Sequence, residues 1–287
     1  MSDSPHPQVP RRRLRAELRG AREAADLTQD DVAKAMEWSL SKIIRIEAGS
    51  VGVSSNDLKA LIRLYKIDDP NRVDELLALA RQSRERSWWS GYKELLNLQY
   101  IQFIDYESAA TFIHGFQPVL VPGLLQTEGY ARVTITQLGE NLTPKVIDDL
   151  VEIRMKRQEL LAQETPPGMS FVLDEAVVRR VVGGRDVMRK QVEHLIELGG
   201  RGDVAIEVVP FSAGAHPGMQ GPFVIIRLPE PAADEILYLE GSKGALVVRD
   251  DPEDLASYQE KFEQLRKLAL SPADTTLLLQ QIAQELA

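Results

Sequence analysis

No cysteine occurs anywhere in the chain. That absence excludes a disulfide framework, a thiolate zinc site, an iron–sulfur cluster and a cysteine nucleophile, and it is compatible with a reducing compartment. Histidine is nearly as scarce: His6, His114, His194 and His216 are the full set, and no two of them stand at metal-ligand spacing. No uninterrupted apolar run approaches the roughly 20 residues that span a bilayer. The opening MSDSPHPQVPRRR places no apolar stretch after its arginines and does not read as a secretory signal. There is no G-x-S-x-G elbow, and Gly183-Gly184 precedes a helical stretch without the rest of a nucleotide-binding loop. Internal repeats and low-complexity tracts are also missing. The expectation is a cytoplasmic chain that avoids membranes, needs no metal or cofactor, and is not an enzyme.

What is present is a packable, unevenly charged sequence. Apolar residues make up 44% of 287 positions, enough for one large or two ordinary cores. The formal charge of −9 is not spread evenly. Residues 11–66 hold twelve Lys/Arg against eight Asp/Glu, a net of +4, and residues 67–287 hold a net of −12. A basic front on an acidic body is expected where one part meets a polyanion and the rest does not.

Residues 1–85 read as five short helices. Leu14, Leu18, Ala21 and Ala25 recur at helical spacing after the prolines at 5, 7 and 10. Asp26-Leu27 breaks that helix. Thr28 with Asp31 makes a capping box for a second helix, running to about Met36. Ser39 caps a third, which stops near Ala48 with Gly49 beyond it. Ser54 or Ser55 caps a fourth, whose Leu58, Leu61, Ile62 and Tyr65 face inward, and Pro70 opens a fifth that reaches about Glu85.

Two short helices joined by a corner, TQDDVAKAMEWSLSKIIRIEAG, have the form that lays its second helix in the DNA major groove. Ala33, Met36, Ile43 and Ile46 supply a packed face. Ser39, Leu40, Ser41, Lys42 and Arg45 fall on the other. Arg45 suits a bidentate contact to guanine, Lys42 reaches a base or a phosphate, and Gln29 is placed for phosphate. Glu47 would be repelled by DNA, so it folds inward to pair with Arg22. One such module rarely holds an operator alone, so a homodimer on a two-fold site is expected on double-stranded DNA.

The segments Leu27-Thr28-Gln29, Val32-Ala33 and Ser41–Glu47 followed by Gly49 resemble the XRE (phage-repressor-like) helix-turn-helix family over residues 11–67. The resemblance implies DNA contact at Gln29, Ser41, Lys42 and Arg45, and a structural Arg22–Glu47 pair. Where that family has a small polar residue this chain has Ile44, which either touches thymine methyls or simply lies on the surface.

Residues 86–287 read as an α+β body with its strands grouped late. MSFVLDEA is a short strand leading into a helix; DVAIEVVP, PFVIIRLP and EILYLEG are β-branched runs of one sheet. FQPVLVPG is extended, the stretches 123–139, 144–163 and 186–198 are helical, and helices at 253–270 and 272–286 close the chain. Those closing helices are either core or a dimer surface. The aromatics near Trp88, Trp89, Tyr92, Tyr100, Phe103 and Tyr106 either line a pocket or form a core or junction. In the long loop PFSAGAHPGMQGPF, His216, Met219 and Gln220 either face a ligand or partner, or belong to a floppy connector. Asp174-Glu175 is either an acid/base pair or a helix start; an enzyme would need Asp174, Glu175 and His216 around one cavity.

VPGLLQTEGYAR (121–132), RMKRQELL (154–161), VLDEAVVRR (172–180), VVPFSAGAHPGMQGPF (208–223) and LRKLALSPADTTLLL (265–279) resemble an actinobacterial family in which an XRE domain precedes a C-terminal domain of unknown function. That resemblance implies a transcriptional regulator, often encoded beside a small partner protein in antitoxin-like arrangements. Two alternatives stand beside the regulator: an antitoxin-like protein acting mainly through protein–protein contacts, and an enzyme domain tethered to DNA.

Overall fold

The computed structural model describes residues 7–49, 51–85, 87–92, 94–229, 235–240, 246–249 and 251–287. His6 and Pro5 lie outside them. The chain divides into two units, one ending at Gly91 and the other beginning at Tyr92, a few residues beyond the 85/86 division read from the sequence.

The first unit is all helical: α1 (Gln8–Ala24), α2 (Gln29–Ala35), α3 (Leu40–Glu47), α4 (Ser55–Leu64) and α5 (Pro70–Gln82). α1 begins before the expected Arg11 and takes in Pro10, which the first helical turn tolerates because its N–H groups have no intrahelical acceptor. The caps follow local chemistry. Thr28 Oγ1 accepts from Asp31 N at 3.1 Å while Thr28 N donates back to Asp31 Oδ2 at 3.0 Å. Ser54 Oγ accepts from Asp57 N at 3.0 Å, and Asp69 caps α5 ahead of Pro70. Leu14, Leu18, Val32, Ile43, Leu58, Leu61 and Leu76 close into one core, each burial contributing about 1.5–3 kcal/mol.

The second unit is α+β. Its sheet has six strands in the order β3-β2-β1-β4-β5-β6: β1 (Phe112–Gln117), β2 (Gly168–Asp174), β3 (Val204–Val209), β4 (Phe223–Arg227), β5 (Glu235–Glu240) and β6 (Leu246–Arg249). β1, β2 and β3 run parallel; β4, β5 and β6 follow antiparallel from β1. α6 (Leu98–Ser108) precedes the sheet. α7 (Glu128–Leu138) and α8 (Pro144–Arg157) link β1 to β2, and α9 (Glu175–Arg179) and α10 (Arg185–Gly199) link β2 to β3. α11 (Pro252–Leu268) and α12 (Pro272–Glu285) close the chain.

Strand alternation sorts the side chains onto two faces. Ile113, Met169, Phe171, Leu173, Ile206 and Val208 pack with α10 and α12. Phe116, Val172, Phe223, Ile225 and Leu237 pack with Phe262 and Leu265 of α11. The closing helices are thus core elements: Leu265, Leu279, Ile282 and Leu286 are buried. Two strands differ from the sequence reading. β1 lies before the FQPVLVPG stretch and shares only its first two residues, and β6, the short run LVVR, is not among the expected strands. FIHGFQ lacks a β-branched run; it is a strand because β2 and β4 flank it on both edges. Nor are the strands grouped late, since β1 and β2 begin at 112 and 168.

Candidate functional site

The corner between α2 and α3 is built from local chemistry. α2 ends at Ala35 with Met36 as its C-cap, Glu37 takes a left-handed φ of +55°, and Trp38 N donates to Ala33 O at 2.8 Å. The chain turns and α3 leaves in a new direction, with Ile43 and Ile46 buried. Gly49, at φ +75°, ends that helix; a Cβ there would collide with the Arg15 guanidinium, which donates to Ala48 O at 2.9 Å.

The outer face of α3 carries most of the expected readers. Ser39, Leu40, Ser41, Ile44 and Arg45 are all exposed. Leu40 and Ile44 stand one turn apart at 42% and 44% exposure, so Ile44 extends an apolar strip flanked by Ser41 and Arg45. The Arg45 side chain donates through Nε to Ser41 O at 3.2 Å on its own helix. Three expectations need correction. Ser39 sits at the N-cap but accepts no backbone N–H; its hydroxyl lies 3.3 Å from Ser41 Oγ instead. Lys42 is half-buried: its Nζ lies 3.2 Å from Asp57 Oδ2 and 3.5 Å from the centre of the Trp38 ring. Gln29, expected at phosphate, donates from Nε2 to Glu47 Oε2 at 2.8 Å.

Glu47 is the centre of a buried network. Arg22 donates from Nε to Oε1 at 2.6 Å and from Nη2 to Oε2 at 3.1 Å, and from Nη1 to Leu27 O at 2.8 Å. The side chains are only 10% and 8% exposed. The hydrogen bond to Glu47 holds the Arg22 guanidinium above its ordinary range despite its burial. Burial, reinforced by Glu47, pushes the Tyr65 phenol up to about 12. One bidentate pair therefore ties α1 and the α1–α2 corner to the end of α3 and fixes the angle of the exposed face.

The residues singled out in the second unit scatter. His216 turns inward, its side chain 4% exposed, with Nε2 at 3.1 Å from Asp174 Oδ2. Met219 is 70% exposed, and Gln220 Oε1 accepts from Lys261 Nζ at 2.8 Å. The loop is no floppy connector: it forms two 3₁₀ turns, 211–213 and 217–220, and Gly218 lies against the Phe116 ring so closely that a Cβ would overlap it. Asp174 and His216 do meet, while Glu175 is engaged elsewhere. Its Oε1 accepts from Arg179 Nε at 2.5 Å and its Oε2 from Phe211 N at 2.7 Å, and Asp174 Oδ1 caps Ala176 N at 2.8 Å. Three of those four carboxylate oxygens thus hold α9 and the loop in place. Among the described residues no cluster of three His, Asp or Glu could hold a metal ion, and no helix is long and apolar enough to cross a membrane.

The aromatic cluster divides. Trp88 and Trp89 pack edge to face, 5.6 Å between ring centres, within the first unit. Tyr100 and Phe103 instead wall a cleft of the second unit, which also takes Arg154 and Arg157. The sequence reading passed over these arginines. The only signal was RMKRQELL, whose basic residues at three-residue spacing share one helical face.

Residues 100–281 match a family described as a domain of unknown function (DUF5753), and residues 13–76 match a helix-turn-helix domain. No curated protein and no solved structure matches the chain.

Proposed function

This chain belongs to the DUF5753 family, with a helix-turn-helix domain in front that makes it a DNA-binding regulator, and from that premise we propose a dimeric, sequence-specific transcriptional regulator of the cytoplasm whose second unit receives a small-molecule or protein signal. The observation that carries the reading is the outer face of α3. Ser39, Ser41 and Arg45 are exposed together on a helix whose angle is fixed by the buried Arg22–Glu47 pair, and the first turn of that helix lacks a side-chain cap. Free N–H groups there suit phosphate, and Arg45 suits a guanine edge. Lys42 reaches DNA by leaving Asp57 and Trp38, a weak, partly exposed pairing. The signal would change the spacing of two recognition helices in a dimer. The second unit acts by binding rather than by chemistry.

The test is a gel-shift on duplexes selected from a random pool by the full chain. Arg45→Ala is expected to lower affinity about 10- to 100-fold and to relax preference at one position. Lys42→Ala is expected to weaken binding evenly across sequences and to reduce the salt slope. Wild-type binding by both variants at matched salt would remove α3 as the reading helix. A second reading, an antitoxin-like protein acting through a small neighbour-encoded partner, is favoured by Phe211 and Met219, exposed at 59% and 70% on one loop. Co-purification with that neighbour, lost in the Phe211→Ser/Met219→Ser double variant, supports it; co-purification unaffected by the double variant removes the loop from the contact.

A further inference from the structure

Three segments far apart in sequence, Val121–Gln126, Arg154–Arg157 and Pro222–Val224, border one cleft at the carboxyl end of β1. β1 is where the sheet's connections diverge: β2 and β3 lie to one side, β4, β5 and β6 to the other. At the carboxyl end of β1 the chain leaves toward Val121–Gln126, while the antiparallel β4 begins beside it, with Phe116 opposite Phe223, so the cleft lies between an outgoing and an incoming segment. Here an inner cavity of about 250 Å³ adjoins a wider cleft of about 730 Å³, on the scale of small-molecule sites.

The inner walls are aromatic. Phe103 stacks on Tyr100 with ring centres 6.2 Å apart and meets Tyr238 edge to face at 4.8 Å; Phe171 completes the lining. Two arginines reach the same space, and they differ in what they have left to offer. Arg157 donates from Nε and Nη2 to the Glu107 carboxylate at 2.7 and 2.8 Å, and from Nη1 to the Tyr100 hydroxyl at 2.6 Å. Its charge is matched inside the protein. Arg154 is half-buried and donates only from Nη1, to Gln126 Oε1 at 3.2 Å; its Nε is buried without a hydrogen-bond partner, and it has no acidic partner among the described residues. The backbone leaves room for both guanidinium groups because residue 123 is glycine: a Cβ there would stand 2.5 Å from Arg154 Nη1.

We propose that this cleft binds a small monocarboxylate with an aromatic body, its carboxylate on Arg154 and its ring among Phe103, Phe171 and Tyr238. A planar guanidinium with unused N–H groups is matched by a carboxylate, and one unmatched positive charge takes one negative charge. A phosphate dianion would bring two charges to one unmatched guanidinium, with the exposed Glu240 at the same cleft, which disfavours it. The assignment rests on the regulator reading for its consequence, a signal to DNA binding, though the binding itself does not depend on it.

The test is calorimetric titration of the full chain with benzoate, phenylacetate and indole-3-acetate, and with indole-3-acetamide as the uncharged counterpart. Saturable binding of at least one acid is expected, with indole-3-acetate about tenfold or more tighter than its amide. Arg154→Gln is expected to lose about tenfold or more, and Arg154→Lys to recover part of it, with thermal unfolding by circular dichroism matching the wild type. No saturable binding of any acid at millimolar concentration overturns the proposal, as does equal binding of acid and amide by the wild-type chain, which needs no variant to fold. A chain that binds DNA through Arg45 but none of the acids keeps the regulator reading and loses the site. A chain that binds the acids but no DNA does the reverse.

Discussion

Glu47 is a carboxylate on the helix proposed to read DNA, and its neighbours explain how it is kept. Both oxygens are occupied by Arg22, and Oε2 takes the Gln29 amide as well. Removing one partner of a buried pair strands the other charge, which costs on the order of 3–5 kcal/mol. Glu47→Ala is therefore expected to destabilise the first unit by about that amount, and the double variant Arg22→Met/Glu47→Met by much less. The chain has three tryptophans, at 38, 88 and 89, all before the division at Gly91, so urea unfolding followed by tryptophan fluorescence reads this unit. Equal losses in the single and double variants would show that the pair carries no coupling. His114 supplies the counterpart in the second unit. Its ring lies 4.4 Å from Phe112 and 4.8 Å from Phe262, its Nδ1 is buried without a partner, and burial, then Arg227, pulls its pKa below the ordinary 6.5. The unfolded chain takes up that proton first, so the contribution to stability is complete above about 6.5 and lost as the pH falls through the folded value. Acidification from about pH 7.5 to about 5.5 is expected to destabilise the wild type more than His114→Leu, read by circular dichroism in urea. The variant keeps some acid sensitivity, because burial also lowers the pKa of His194.

At the level of elements, the two serine caps separate structure from function. Ser54 Oγ holds Asp57 N, whereas Ser39 Oγ holds no backbone group. Ser54→Ala is expected to cost about 1 kcal/mol, the usual worth of such a cap. Ser39→Ala is expected to stay within about 0.5 kcal/mol while weakening DNA binding in the gel-shift. A stability loss at Ser39 equal to that at Ser54 would mean the hydroxyl is a cap after all. The same contrast marks what the sequence could disclose. Thr28, Ser54 and Gly49 act on groups within a few residues, so their patterns are readable in the chain, and the inward faces at Leu14, Leu18, Leu58 and Leu61 follow from helical spacing alone. The Arg22–Glu47 pair was legible through the family likeness, across 25 residues of sequence. β1 was not, since FIHGFQ owes its strand to partners 56 residues on, at Gly168, and farther still in β4. Nor was the cleft, whose Arg157–Glu107 contact spans 50 residues: no local rule pairs those two before the sheet is assembled. The contacts of Lys42 with Asp57 and of Gln29 with Glu47 were not legible either, because each joins residues of different helices.

For the whole molecule, charge and connectivity make opposite demands. The basic segment 11–66 carries +4 and the second unit from Tyr92 carries −11, so a duplex held by the first unit would repel the second. On the proposed dimeric reading, the second unit supplies the link between two recognition helices. A fragment ending at Gly91 keeps its own core and all three tryptophans, and is expected to unfold cooperatively by fluorescence. At low salt it should bind nonspecific duplex at least as tightly as the full chain, since the repelling charge is gone. On the selected two-fold duplex it should bind about 100-fold more weakly or worse, because two sites joined in one dimer gain through effective concentration. Gel-shift titrations of both proteins on the palindrome and on a single half-site measure the two effects separately. If the fragment holds the palindrome as tightly as the full chain does, the pairing contact lies in the first unit, and the second unit's part in regulation must be carried by its ligand or partner alone.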